Sequence, residues 1–179
     1  MHDCHFAVAG WGWQTCNYAV HPLLVRVVVD HFGEGEPTVD CFATAENKRF
    51  AVHWSREDSA WQHSWSWKRT WLLWMNPPFD VIGDVVRKIC ADKARAILVV
   101  PEWRSRPWWK RLQDIIVARK KLPRTNGLFL REGKTAMRAP RWDVWEFLVD
   151  GGLEGVILDG EKTLWNLHAV PGVDDHQVA

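Results

Sequence analysis

Two apolar runs, TWLLWM at residues 70–75 and RAILVV at 95–100, constrain this chain more than any other feature. Neither alternates apolar with polar residues. A strand with one wet face must alternate, so each run reads as a strand covered on both sides. Between them DVIGDVVRKICADK (80–93) puts Val81, Val85 and Ile89 on one helical face and Asp84, Arg87 and Lys88 off it. A strand, a helix and a second buried strand in that order make a parallel crossover unit.

The flanking segments extend this unit. PLLVRVVVDHF from Pro22 reads as a helix, with proline in the first turn and Gly33 just past the end. EPTVDCFA (36–43) reads as a buried strand. Residues 44–70 have no clean period and are expected to be irregular, with at most one short strand at 50–54. PWWKRLQDIIVARK (107–120) is expected as one helix. GLFLRE (127–132), WDVWEFLVD (142–150) and GVILD (155–159) are expected as later strands. The class is α/β, a mostly parallel sheet with antiparallel edge strands. Residues 1–19 read as an N-terminal arm, 20–160 as one domain and 161–179 as a polar tail.

Ligands of such sheets sit where strands end at their carboxyl edge. Two strands here end on polar chemistry, one at 40–43 and one at Asn76-Pro77-Pro78-Phe79. Two consecutive prolines continue neither a strand nor a helix interior. An asparagine oxygen and the carbonyl of a rigid proline are two acceptors for the two hydrogens of an exocyclic amine. Accepting both would localise the nitrogen lone pair, and Phe79 would stack an extruded base. That chemistry needs positioning and no metal.

Composition limits the alternatives. The 179 residues are 47% hydrophobic, enough for one core, and the net charge of +1 makes any polyanion site a local patch. Such a patch lies at 104–124, where Arg104, Arg106, Lys110, Arg111, Arg119, Lys120, Lys121 and Arg124 surround Trp108 and Trp109. A solvated helix face with buried tryptophans would carry the same residues. No apolar run is long enough to span a membrane, and the first ten residues do not resemble a signal peptide. Cys4, Cys16, Cys41 and Cys90 lack CxxC spacing and read as reduced thiols of an intracellular protein. His2, Cys4 and His5 lack a second ligand pair, so no metal is expected. The 14 tryptophans against one tyrosine are mostly core, with an excess that would suit a partner interface.

The NPPF stretch after an apolar strand resembles the (D/N/S)-P-P-(Y/F) motif of N6-adenine and N4-cytosine DNA methyltransferases. DCFATAEN (40–47) resembles the D-x-F/C-A-x-x-x-N stretch of small phage-type DNA adenine methyltransferases (Dam). The ordered set His21-Pro22, Phe32-Gly33, 40–47, 77–79 and the V-x-P-x-W-x-x-x-P-W pattern over 99–108 resembles the Dam-like domain of DIRS-type tyrosine-recombinase retroelements. The likeness covers about residues 20–152. It implies a Rossmann-like methyltransferase fold. It further implies S-adenosylmethionine held by Asp40, Phe42, Ala43 and Asn47, with Asn76, Pro77, Pro78 and Phe79 as the catalytic turn. Arg104, Arg106, Lys110, Arg111, Lys120 and Lys121 would hold DNA. A retroelement protein of this kind would work in the nucleus. The chain departs from its relatives at Thr44 and Glu46, where many methyltransferases carry glycine, and at Thr15-Cys16, where phage enzymes often carry Thr-Pro.

Two functions are therefore expected. One is an S-adenosylmethionine-dependent DNA N6-adenine methyltransferase. The other is an inactive, retroelement-derived module serving as a structural or binding subunit of a protein complex. An open pocket between 40–47 and Asn76 would favour the enzyme. A pocket filled by Glu46, or by the tryptophans of 61–67, would favour the module.

Overall fold

The computed structural model describes residues 18–55, 57–66 and 70–153. The N-terminal arm up to residue 17, the expected strand at 155–159 and the tail lie outside the described residues.

Helix α1 (Pro22–Phe32) forms despite its valines because both ends are fixed. Pro22 sits in the first turn, His21 Nδ1 accepts the Leu23 N–H, and Gly33 closes the helix at φ 66. Strands β2 (Val39–Asp40), β3 (Leu72–Met75) and β4 (Arg95–Pro101) run parallel. Helix α2 (Ile82–Asp92) crosses over between β3 and β4. Strand β8 (Val144–Asp150) runs antiparallel to β4, and β5 (Ile116–Lys121) pairs antiparallel with β8 at the edge. The sheet order is β2-β3-β4-β8-β5. The antiparallel pairings thus occupy one side of a mixed sheet, with β8 inserted between two strands that run with the parallel set.

The continuous apolar runs have their reason in the layers. Leu73, Met75, Ala96, Leu98 and Val100 point to a core shared with Val85, Val86 and Ile89 of α2 and Leu112 of α3 (Pro107–Gln113). Leu72, Trp74, Ile97 and Val99 point to a second core with Val25 and Val28 of α1. A small sheet of order β1-β6-β7 closes that second side. It comprises β1 (Tyr18–Val20), β6 (Phe129–Arg131) and β7 (Thr135–Ala136).

Three expectations are corrected. The helix expected over 107–120 ends at Gln113, and residues 116–121 form β5. Ile116 and Val117 are β-branched, and the free edge of β8 offers them a ladder that helix propensity does not outweigh. Tyr18 and Ala19, read as the end of an arm, form with Val20 a strand paired with β6, their polar neighbours having hidden it. The strand expected at 36–43 shrinks to two residues. His53 of the irregular segment makes an isolated parallel bridge to Asp40 on its outer side.

Gly151 ties the end of β8 to α2. Its N–H bonds the Ala94 carbonyl at 2.9 Å, and a Cβ there would overlap the Ile89 carbonyl group. Gly151→Ala should cost about 2 kcal/mol, the scale of overpacking in a tight core. A lower urea midpoint with unchanged slope is the expected readout.

Candidate functional site

β2 and β3 are neighbours and parallel, so the loops after them open at the same edge of the sheet. After β3 the two prolines build a strand-to-helix corner. Pro78 is extended at φ −53 and ψ 146, and its carbonyl accepts the Val81 N–H of the 3₁₀ turn Phe79–Val81 that leads into α2. Asn76 is 8% exposed, and its Nδ2 donates to the Tyr18 carbonyl at 3.2 Å. That bond turns Oδ1 the other way, as an acceptor with no hydrogen bond to any described residue.

Phe79 is half-buried at the centre of a ring cluster. Its centroid lies 5.1 Å from Trp103, 5.3 Å from Tyr18 and 5.6 Å from Trp142. Trp103 and Trp142 are 5.6 Å apart, and Tyr18 packs on Phe129 at 5.1 Å. Tyr18, Trp103 and Trp142 come from β1, the loop after β4 and the approach to β8. Sequence reasoning did not place them at the site. Trp103 lay within the resembling V-x-P-x-W pattern, which was the one signal for it.

The loop at 40–47 is closed on itself. Asp40 is 3% exposed, and its Oδ2 accepts the Arg49 N–H at 2.9 Å. Burial raises its pKa to about 6, against the opposing pull of the Arg49 and Phe42 N–H groups and the Arg49 charge. Asn47 is 4% exposed, and its Oδ1 accepts the Thr44 N–H at 2.6 Å. Ala43 is buried, its N–H bonded to the Trp54 carbonyl. Phe42 is buried against Trp61 at 6.0 Å and Trp65 at 6.4 Å. Trp65 is itself sealed, with Nε1 on the Ala60 carbonyl and its backbone N–H on Asp92. Glu46 is exposed and fills nothing. Trp61 and Trp65 thus cover Phe42 on the α2 side of the sheet.

The basic residues separate into two groups. Arg104, Arg106, Lys110 and Arg111 are exposed on α3 and the loop before it. Arg104 pairs with Glu102, and the Arg106 guanidinium lies 5.5 Å from the Trp103 ring, which brings it to the aromatic cluster. Lys120 and Lys121 stand on strand β5 and so face opposite sides of the sheet. Lys121 bonds Asp143 at 2.6 Å. Arg141, unremarked in the sequence, is exposed next to Trp142.

One further polar residue lies beside this region. Glu146 on β8 is 0% exposed, and neither carboxyl oxygen has a hydrogen-bond partner. Burial raises its pKa to about 9, with Lys120 pulling the other way. Trp142 Nε1 is also buried without a partner. Nothing in the sequence marks Glu146 as sealed.

Comparison with protein-family models, with curated proteins and with solved structures finds no match to this chain. Among the described residues no helix is long and apolar enough to cross a membrane, and no three His, Cys, Asp or Glu side chains group as metal ligands.

The pKa of Glu146 links stability to pH. Below about 4.5 the group is protonated folded or unfolded and contributes no dependence. Between about 4.5 and about 9 the folded state holds a proton that the unfolded state has lost, so stability falls as pH rises. Glu146→Gln should remove this slope. Melting followed by circular dichroism should show the variant gaining on wild type at pH 8 and much less at pH 5.

Proposed function

We propose that this chain is a methyltransferase-like module that binds nucleic acid by taking an unstacked base onto Phe79, without turning over S-adenosylmethionine. The carrying observation is Phe79 among Tyr18, Trp103 and Trp142, beside the Asn76 amide. A base has two apolar faces and a polar edge. The cluster offers ring surface for the faces and an oriented amide for the edge. Arg104, Arg106, Lys110 and Arg111 supply positive charge close by for phosphates. The parallel strands β2, β3 and β4, with helices on both sides and the site at their carboxyl ends, support a Rossmann-like reading of the fold.

The non-catalytic half of the proposal rests on the loop at 40–47. A cofactor would need Asp40 and Asn47 as free polar contacts, yet both close the loop. The rings of Trp61 and Trp65 cover Phe42. Kept for its surfaces, such a module would serve a larger assembly, in the nucleus if its retroelement likeness reflects its origin.

A second reading, S-adenosylmethionine-dependent adenine N6-methylation, is favoured by one observation. Asn76 donates through Nδ2 to Tyr18, which leaves Oδ1 as the acceptor that amine polarisation would use. For such a site Asn76 has an acceptor available, while in the loop that the likeness assigns to the cofactor Asp40 and Asn47 are engaged in the chain's own bonds.

Two measurements separate these readings. Titrating S-adenosylmethionine in a calorimeter should give no heat from the folded protein. Micromolar binding lost in Asp40→Ala would instead favour the enzyme. Titrating a short single-stranded oligonucleotide should quench tryptophan fluorescence. Phe79→Ala should weaken that binding about tenfold, the scale of one base–aromatic stack. Unchanged affinity in Phe79→Ala would remove the base-docking proposal.

A further inference from the structure

Glu146 is a carboxylate buried in the core with neither oxygen hydrogen-bonded. Buried polar groups are almost always hydrogen-bonded, and leaving one unmet costs about 1–3 kcal/mol. Here two carboxyl oxygens are sealed at 0% exposure with no partner. Its neighbours on the same face of β8, Val144 and Leu148, are the residues a plain core would carry.

The sheet register places Glu146 relative to the docking turn. Met75 on β3 pairs with Leu98 on β4, which brings Asn76 level with Val99. Val99 pairs with Glu146 on β8, and Glu146 pairs with Lys120 on β5. Paired residues face the same way, and Trp74, Val99 and Leu148 all point into the core on the α1 side. With β3 continued by one residue, Asn76 and Glu146 stand in one row on the face that packs against the α1-side core, two strand spacings or about 10 Å apart. Trp142 packs against that same core and carries a buried N–H without a partner.

The geometry points to Glu146 as a second polar contact of the docked base, its carboxyl group presenting an O–H donor and a C=O acceptor to the base's hydrogen-bonding edge. This rests on the base-docking reading above. Phe79 takes the face of the base, Asn76 one side of its edge and Glu146 the other. The burial that isolates the carboxyl also keeps its proton, so it can donate as well as accept. The charged group that acts on it is Lys120, its pairing partner on β5, while β4 presents Val99. Because Glu146 is sealed in the free protein, a base reaches it by displacing a ring of the cluster. Trp142 is half-buried and its indole N–H makes no hydrogen bond, so no such bond opposes its displacement.

The test uses oligonucleotide titrations of the full chain at pH 7, read by tryptophan fluorescence, on wild type, Glu146→Gln, Glu146→Leu and Phe79→Ala. Glutamine keeps a donor and an acceptor side by side and should bind within about threefold of wild type. Leucine keeps the volume and removes both, and should lose about tenfold or more, as a site left with an unmet polar ligand edge does. Leucine suits an apolar core, so circular dichroism should show it folded and at least as stable as wild type. A Glu146→Leu protein that binds as wild type, while Phe79→Ala does not, overturns the role of Glu146 and leaves base docking standing. Wild-type affinity in both Leu and Phe79→Ala variants, or no binding by wild type, overturns base docking and the Glu146 contact with it.

Discussion

β3 and β4 are buried on both faces, and that double burial dictates the layers around them. Each residue of LLWM and most of RAILVVP must find an apolar neighbour above or below the sheet. Fully burying one large apolar side chain is worth about 1.5–3 kcal/mol, so a face left open along two strands would be ruinous. The α2 side is covered by α2 and α3 and by the Trp54–Trp65 segment. The other side is covered by α1 and the small β1-β6-β7 sheet. The double proline belongs to the same constraint. A strand covered on both faces must leave the sheet abruptly to become α2, and Pro77-Pro78 makes that corner within the core.

This explains what could be read from the sequence and what could not. α1, α2, β3, β4 and β8 carry their own signals: an apolar period with clear stops, or an unbroken apolar run. β5 did not, because IVARKK suits a strand or a helix on local grounds, and only the open edge of β8 decides. β1 is three residues long, and its partner β6 lies more than a hundred positions away. The same division holds at the site. Asn76, Pro77, Pro78 and Phe79 are adjacent in the chain and readable as a group. Tyr18, Trp103 and Trp142 converge on Phe79 from three distant segments, and among 14 tryptophans none announces its place. Glu146 was invisible for a different reason. It is one carboxylate in an otherwise apolar run of β8, and its burial without a partner comes from what packs on that face.

The loop at 40–47 teaches the opposite lesson. Its residue types match a cofactor loop, and its position at the end of β2 matches too. Yet Asp40 and Asn47 accept N–H groups from within the loop. Thr44 and Glu46 stand where glycines would let a backbone approach a ligand closely. Without that approach Asp40 and Asn47 find partners inside the fold, as buried polar groups must. Motif identity and motif availability are separate properties, and the second depends on neighbours such as Trp61 and Trp65.

β1 joins the two halves of the site. Arg49 follows the closed loop, donates Nε to the Val20 carbonyl at 2.7 Å and Nη1 to the Asn47 carbonyl at 2.8 Å. Two residues earlier on β1, the Tyr18 carbonyl accepts the Asn76 amide. The loop that would serve a cofactor and the turn that would serve a base therefore hang on one three-residue strand. Opening the loop to free Asp40 would pull on Arg49, and through Val20 on the strand whose next-but-one carbonyl orients Asn76. With the loop closed, β1 is held against β6 and the Asn76 oxygen stays turned away from Tyr18. The closed loop and the orientation of the Asn76 amide are thus linked through Arg49 and β1.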